Sequence, residues 1–100
     1  MSTLPVTNFD CNIACLIGEF IREVKEYTSD KEAKFTPKLK GYEINIEDEN
    51  DSLFISIKYP ENMFFKAFTV KAIKSDGTKQ KYKFKSKDEI KSIVEAIFSL

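Results

Sequence analysis

The residues best placed to do chemistry in this sequence are four lysines at alternate positions, Lys79, Lys81, Lys83 and Lys85. On an extended strand that spacing sends every ammonium group to one side of a sheet. Phe54, Phe65 and Lys71 fall on the same side in the register argued below. Cations beside aromatic faces bind anions. Two partner classes fit: an acidic protein surface, and a single-stranded nucleic acid whose bases stack on rings within a basic groove. Lysines on an edge strand also have a purely structural use, since they discourage pairing with another sheet.

Two other groups carry chemical interest. Cys11, Ala14, Cys15, Gly18 and Arg22 share one stripe of a helix, nearly opposite its apolar arc. Most of these side chains are small, so another backbone can approach closely. The last helix of the same chain can lean there, or a partner or a second copy can pack there, giving a homodimer through the first helix. Two thiolates are too few for a structural zinc site, and adjacent helix turns present them in poor geometry for a disulfide. Glu47-Asp48-Glu49-Asn50-Asp51 holds calcium-ligand types but lacks the glycine and distal glutamate of a calcium loop. It reads as a solvated hairpin turn.

The groups needed for catalysis are missing from the pattern. The chain has no histidine, the commonest general base near neutral pH, and only three glycines, at 18, 41 and 77. There is no phosphate-cradling loop and no nucleophile paired with a base. The expectation is a non-catalytic chain with no cofactor and no metal.

Composition bounds the class. One hundred residues make a single domain spanning 1–100. The hydrophobic fraction of 42%, with nine phenylalanines, is ample for one core rich in rings. The charged fraction of 32% sums to zero net charge, which excludes a polycation and leaves any anion binding to local patches. No apolar run approaches the eighteen or so residues that span a bilayer, and the N-terminus lacks the features of a signal peptide. Two cysteines outside any disulfide pattern suit a reducing, cytoplasmic compartment. No membrane partner is expected.

The elements that must position these residues follow from periodicity. Thr7 with Asp10 fits a helix N-cap, and apolar residues recur at Phe9, Ile13, Leu16, Ile17, Phe20, Ile21, Val24 and Tyr27. This predicts a helix over 8–27. Ser86 and Glu89 form a capping box ahead of Ile90, Ile93, Val94 and Ile97, which predicts a second helix over 87–99. Between them four segments alternate: 42–47, 53–59, 64–74 and 79–85. A stretch from Phe35 to Leu39 can be extended, but Pro37 limits its pairing and it is not counted as a strand. Gly41 marks a phase change that suits a bulge or a bend.

Three hairpin loops then set the registers. Ser75-Asp76-Gly77, with Gly77 left-handed, places Val70 opposite Tyr82 and Phe68 opposite Phe84. A loop at Asp48–Asp51 places Ile44 opposite Ile55. A four-residue loop at Pro60–Met63 places Ile57 opposite Lys66 and Ile55 opposite Phe68. All three agree on one buried face, holding Tyr42, Ile44, Ile46, Leu53, Ile55, Ile57, Phe68, Val70, Ala72, Tyr82 and Phe84. The predicted fold is α+β in two layers: a four-stranded antiparallel meander covered on one face by the N-terminal and C-terminal helices, in the order α-β-β-β-β-α. The ββββα order of residues 42–99 resembles the topology of single-strand-binding domains of the positive-cofactor and whirly types. The resemblance is one of strand order and brings no site residues with it.

The functional expectation is a small non-catalytic protein-binding module: a stoichiometric inhibitor, adaptor or immunity-type protein of the phage or mobile-element kind. The alternative is a single-stranded nucleic-acid-binding domain using the basic sheet face. Zero net charge and the acidic first strand weigh against it.

Overall fold

The structure is a computed structural model; it describes the backbone of residues 4–49, 51–60 and 67–100, and the side chains of these from residue 13 onward. Seven elements follow in chain order: α1 (Leu4–Tyr27), β1 (Glu32–Lys38), β2 (Gly41–Glu47), β3 (Ser52–Lys58), β4 (Phe68–Lys74), β5 (Lys79–Phe84) and α2 (Lys87–Phe98). The strands form one antiparallel sheet in the order β1-β2-β3-β4-β5, and both helices pack on one of its faces. The α+β class and the two-layer meander are as the sequence predicts. The strand count is five.

The additional strand is β1. It pairs with β2 along its whole length, from Glu32 opposite Glu47 to Lys38 opposite Gly41. Pro37 does not prevent this, because β1 is an edge strand and the missing N–H of an edge residue need leave no ladder bond unmade. The strand forms because Ala33 and Phe35 place apolar surface over the end of the core. The Lys25 ammonium lies 5.3 Å from the Phe35 ring centroid.

Gly41 is neither a bulge nor a bend. It opens β2 directly after the turn at Leu39-Lys40 and is buried between Lys38 and Lys58. A Cβ there would overlap the Ile57 carbonyl oxygen, so the close approach of β3 requires glycine.

Two of the three predicted registers hold. Ile44 lies opposite Ile55, and Val70 and Phe68 lie opposite Tyr82 and Phe84. Gly77 has φ +94°, the left-handed conformation its loop demands. The β3–β4 register differs: Ile57 lies opposite Val70 and Ile55 opposite Ala72, four residues from the expected pairing. The four-residue loop would have carried residues 72–74 past the end of β3 into the Asp48–Asp51 turn, leaving their ladder bonds unmade. The observed register pairs them, and the Ser75 N–H extends the ladder to the Ser52 carbonyl at 3.0 Å. β3 ends at Lys58 and β4 begins at Phe68, so the strands are joined by more than the four residues 60–63, and the entropy of closing a longer connection grows only slowly with length. A shift of four preserves the alternation, so the predicted core face survives intact.

Both helices lay their apolar arcs on that face. Ile17, Phe20 and Val24 of α1 and Ile90, Ile93, Val94 and Ile97 of α2 are buried against Ile44, Ile55, Ile57, Phe68, Val70 and Phe84. Helix α1 is already formed at Leu4, so Thr7 lies inside it and is not the N-cap. Pro5 suits that earlier start, since the first turn of a helix has no use for its N–H. Helix α2 begins where predicted. Glu89 accepts hydrogen bonds from the Lys85 N–H (2.8 Å), the Ser86 N–H (3.1 Å) and the Ser86 hydroxyl (3.3 Å), which pull its carboxyl below the usual carboxylate range.

Candidate functional site

With both helices on one side, no described element covers the other side of the sheet. The ladder registers arrange its residues in rows that cross the strands. One row runs Lys34, Asn45, Phe54, Ile73, Lys79; the next runs Thr36, Glu43, Ser56, Lys71, Lys81; a third runs Lys38, Gly41, Lys58, Thr69, Lys83. Phe54 and Ile73 are therefore direct neighbours, both half-buried, forming an apolar centre on an otherwise polar face.

The charges on this face do not balance. Its strand residues include Lys34, Lys38, Lys58, Lys71, Lys79, Lys81 and Lys83 against Glu32, Glu43 and Glu47. Seven cations against three anions leave a net charge of +4 there, so the rest of a chain with zero net charge carries −4. Among the described residues, Lys38 is the one of these lysines that reaches a carboxylate, Glu43 Oε1 at 3.7 Å; the other ion pairs lie elsewhere. Lys71 stands opposite Lys81, and among the described residues neither has a carboxylate partner, a repulsive arrangement that a bound anion would relieve.

The predicted binding residues divide accordingly. Lys71, Lys79, Lys81 and Lys83 meet on the face with Phe54. Lys85 lies beyond the end of β5, and its N–H belongs to the cap of α2. Phe65 falls outside the described residues. Ile73 takes the place beside Phe54 because the β3–β4 register is shifted. Lys34 and Lys38 join this face because the segment around Pro37 pairs with β2 as a strand, which its alternation and its proline do not predict.

The helix stripe has a different fate. Ala14, Cys15, Gly18 and Arg22 are exposed, and a Cβ on Gly18 would meet nothing within 4 Å. The last helix does not lean on this stripe. The helices meet elsewhere: Tyr27 stacks on Phe98 at 4.8 Å, and Lys87 approaches Glu19 at 4.0 Å. Arg22 pairs with Glu19 one turn away on its own helix. Cys11 lies on α1, but its side chain is outside the described residues.

The acidic run builds the β2–β3 turn. The Asp48 N–H donates to the Asp51 carbonyl at 2.9 Å, and the Asp48 carboxylate accepts from the Glu49 N–H at 2.8 Å and from Lys31 Nζ at 3.3 Å. These contacts lower the Asp48 carboxyl below its ordinary range, the Glu49 N–H first. Among the described residues, no three acidic or thiol side chains converge as a metal site would need, and no helix is long and apolar enough to cross a membrane.

No family model, curated protein or solved structure matches this chain.

Proposed function

We propose that this chain is a non-catalytic protein-binding module whose open sheet face docks an acidic surface of its partner. The observation that carries the reading is the pairing of Phe54 with Ile73 inside a field of lysines that, Lys38 apart, have no carboxylate partner among the described residues. An apolar centre with a charged rim is the usual anatomy of a protein-docking site: the centre supplies affinity, and the rim supplies steering and specificity. A stoichiometric inhibitor, an adaptor or an immunity-type protein of phage or mobile-element kind would work in this way, in the cytoplasm, with no cofactor or metal. The exposed stripe of Cys15, Gly18 and Arg22 is a separate surface, available to a second copy.

A single-stranded nucleic acid is the second reading, favoured by the presence of Phe54 on the same face as Lys71, Lys79 and Lys81. Oligonucleotide binding at low salt comes first among the tests, and the expected result is none. Against a purified partner, changing Lys81 and Lys83 to Gln slows association and weakens its salt dependence, whereas Phe54→Ser raises the dissociation rate. Oligonucleotide binding whose log–log salt slope falls by about 0.7 for each phosphate contact removed would replace the protein reading with the nucleic-acid one.

A further inference from the structure

β5 ends the sheet, and its ladder to β4 determines which of its backbone groups are used. The Lys74 N–H donates to the Thr78 carbonyl at 2.8 Å and the Gly77 N–H to the Lys74 carbonyl at 3.0 Å, so the turn closes on a hydrogen-bonded pair. Stepping two residues at a time from that pair reaches Ala72 opposite Gln80, Val70 opposite Tyr82 and Phe68 opposite Phe84. In an antiparallel ladder, residues that exchange bonds with the partner alternate with residues whose N–H and C=O point the other way. Gln80, Tyr82 and Phe84 therefore bond to β4. Lys79, Lys81 and Lys83 direct their N–H and C=O groups out of the sheet. Among the described residues, no turn or loop backbone bonds to these three lysines.

The residues whose outward main-chain groups have no partner among the described residues are thus the same ones that carry ammonium groups on the open face. A second copy added at this edge would set lysine against lysine, which opposes self-pairing. The opposite edge lacks this arrangement. On β1, Pro37 has no N–H to offer, and Glu32 interrupts the lysines.

We propose that the edge of β5 accepts an extended acidic segment of the partner, which joins the sheet as a further strand with its carboxylates opposite Lys79, Lys81 and Lys83. This rests on the protein-binding reading of the open face and narrows the partner from an acidic surface to an acidic strand. Main-chain bonds to the free groups hold the segment, and alternate side chains select it. The lysines that repel a like strand pair favourably with a carboxylate in the same cross-strand position.

The probe is a short synthetic peptide alternating Glu and Thr, together with the same peptide N-methylated at its glutamates. Methylation keeps every charge and removes the N–H groups that would donate to the lysine carbonyls. The parent peptide is expected to bind at low salt and to slow amide exchange at Lys79, Lys81 and Lys83. The methylated form should bind at least about tenfold more weakly, since several main-chain bonds are lost. The triple change of Lys79, Lys81 and Lys83 to Gln should weaken the parent peptide by a similar factor. Equal affinity of both peptides would overturn strand addition and leave the open-face reading standing. No binding of the parent peptide to the unaltered protein would also overturn it; the open-face reading is then judged by the Phe54 and Lys81/Lys83 variants against the purified partner.

Discussion

Phe68 stacks on Phe84 with ring centroids 4.7 Å apart and planes 4° from parallel. The two face each other across β4 and β5, and Phe84 in turn stacks on Phe20 of α1 at 5.6 Å, joining sheet to helix. Tyr59 lies T-shaped to Phe68, with centroids 6.2 Å apart and planes at 82°. Phe68 is fully buried and lies at the middle of this ring cluster. Phe68→Ala should therefore cost about 3–5 kcal/mol, the range for truncating a buried phenylalanine. Out of a total of about 5–15 kcal/mol this is between about a fifth and all of the stability. Urea melts of the two proteins measure it, and a loss under about 1 kcal/mol would remove Phe68 from the core.

Gly41→Ala should destabilise the protein by about 1–3 kcal/mol, the cost of forcing atoms into closely packed space, because the new methyl group meets the Ile57 carbonyl. The same change at Gly18, where nothing lies within 4 Å, should stabilise α1 by up to about 1 kcal/mol. Thermal melts of the two variants should move in opposite directions.

Lys81→Glu should stabilise the fold by about 0.2–1 kcal/mol, since it turns the Lys71–Lys81 repulsion into an attraction. The gain should shrink as salt is raised. The same change should weaken capture of an acidic partner. A stable variant that binds poorly would separate the site from the scaffold, whereas a variant that melts earlier would show that Lys71 and Lys81 are not cross-strand neighbours.

Acid should weaken the fold partly through three turn and cap carboxylates. Glu89, Asp76 and Asp48 each accept backbone N–H bonds that hold their carboxyls below the ordinary values, the largest contributions coming from Lys85, Thr78 and Glu49 respectively. A group whose folded value is depressed contributes its stability above the unfolded value and loses it as pH falls through the folded one. The urea midpoint should therefore be insensitive to these groups near neutral pH and decline below the ordinary carboxylate range. Glu89→Gln should show a shallower decline than the unaltered protein; an identical acid slope would mean that the Glu89 contacts do not persist in solution.

Much of this architecture is legible in the chain because it is local. The capping residues Ser86 and Glu89, the left-handed Gly77, the turn at Asp48–Asp51 and the alternation of apolar residues each act within a few positions, and together they determine α2, two hairpin registers and the buried face. Period-two alternation also assigns Lys71, Lys79, Lys81 and Lys83 to the open face whichever even shift is chosen. Three features were settled by the tertiary structure. The β3–β4 register depends on pairing every residue of β4, a sum over the whole ladder that outweighs a short loop, and that register is what sets Ile73 beside Phe54. The β1 strand depends on an uncovered core end and a free edge, conditions that exist only once the other strands are in place; there Pro37 costs little, and Lys34 and Lys38 join the basic face. The exposure of the Cys15–Gly18 stripe depends on how the two helices meet, which is decided by their apolar arcs against the sheet and not by the size of residues on the far side.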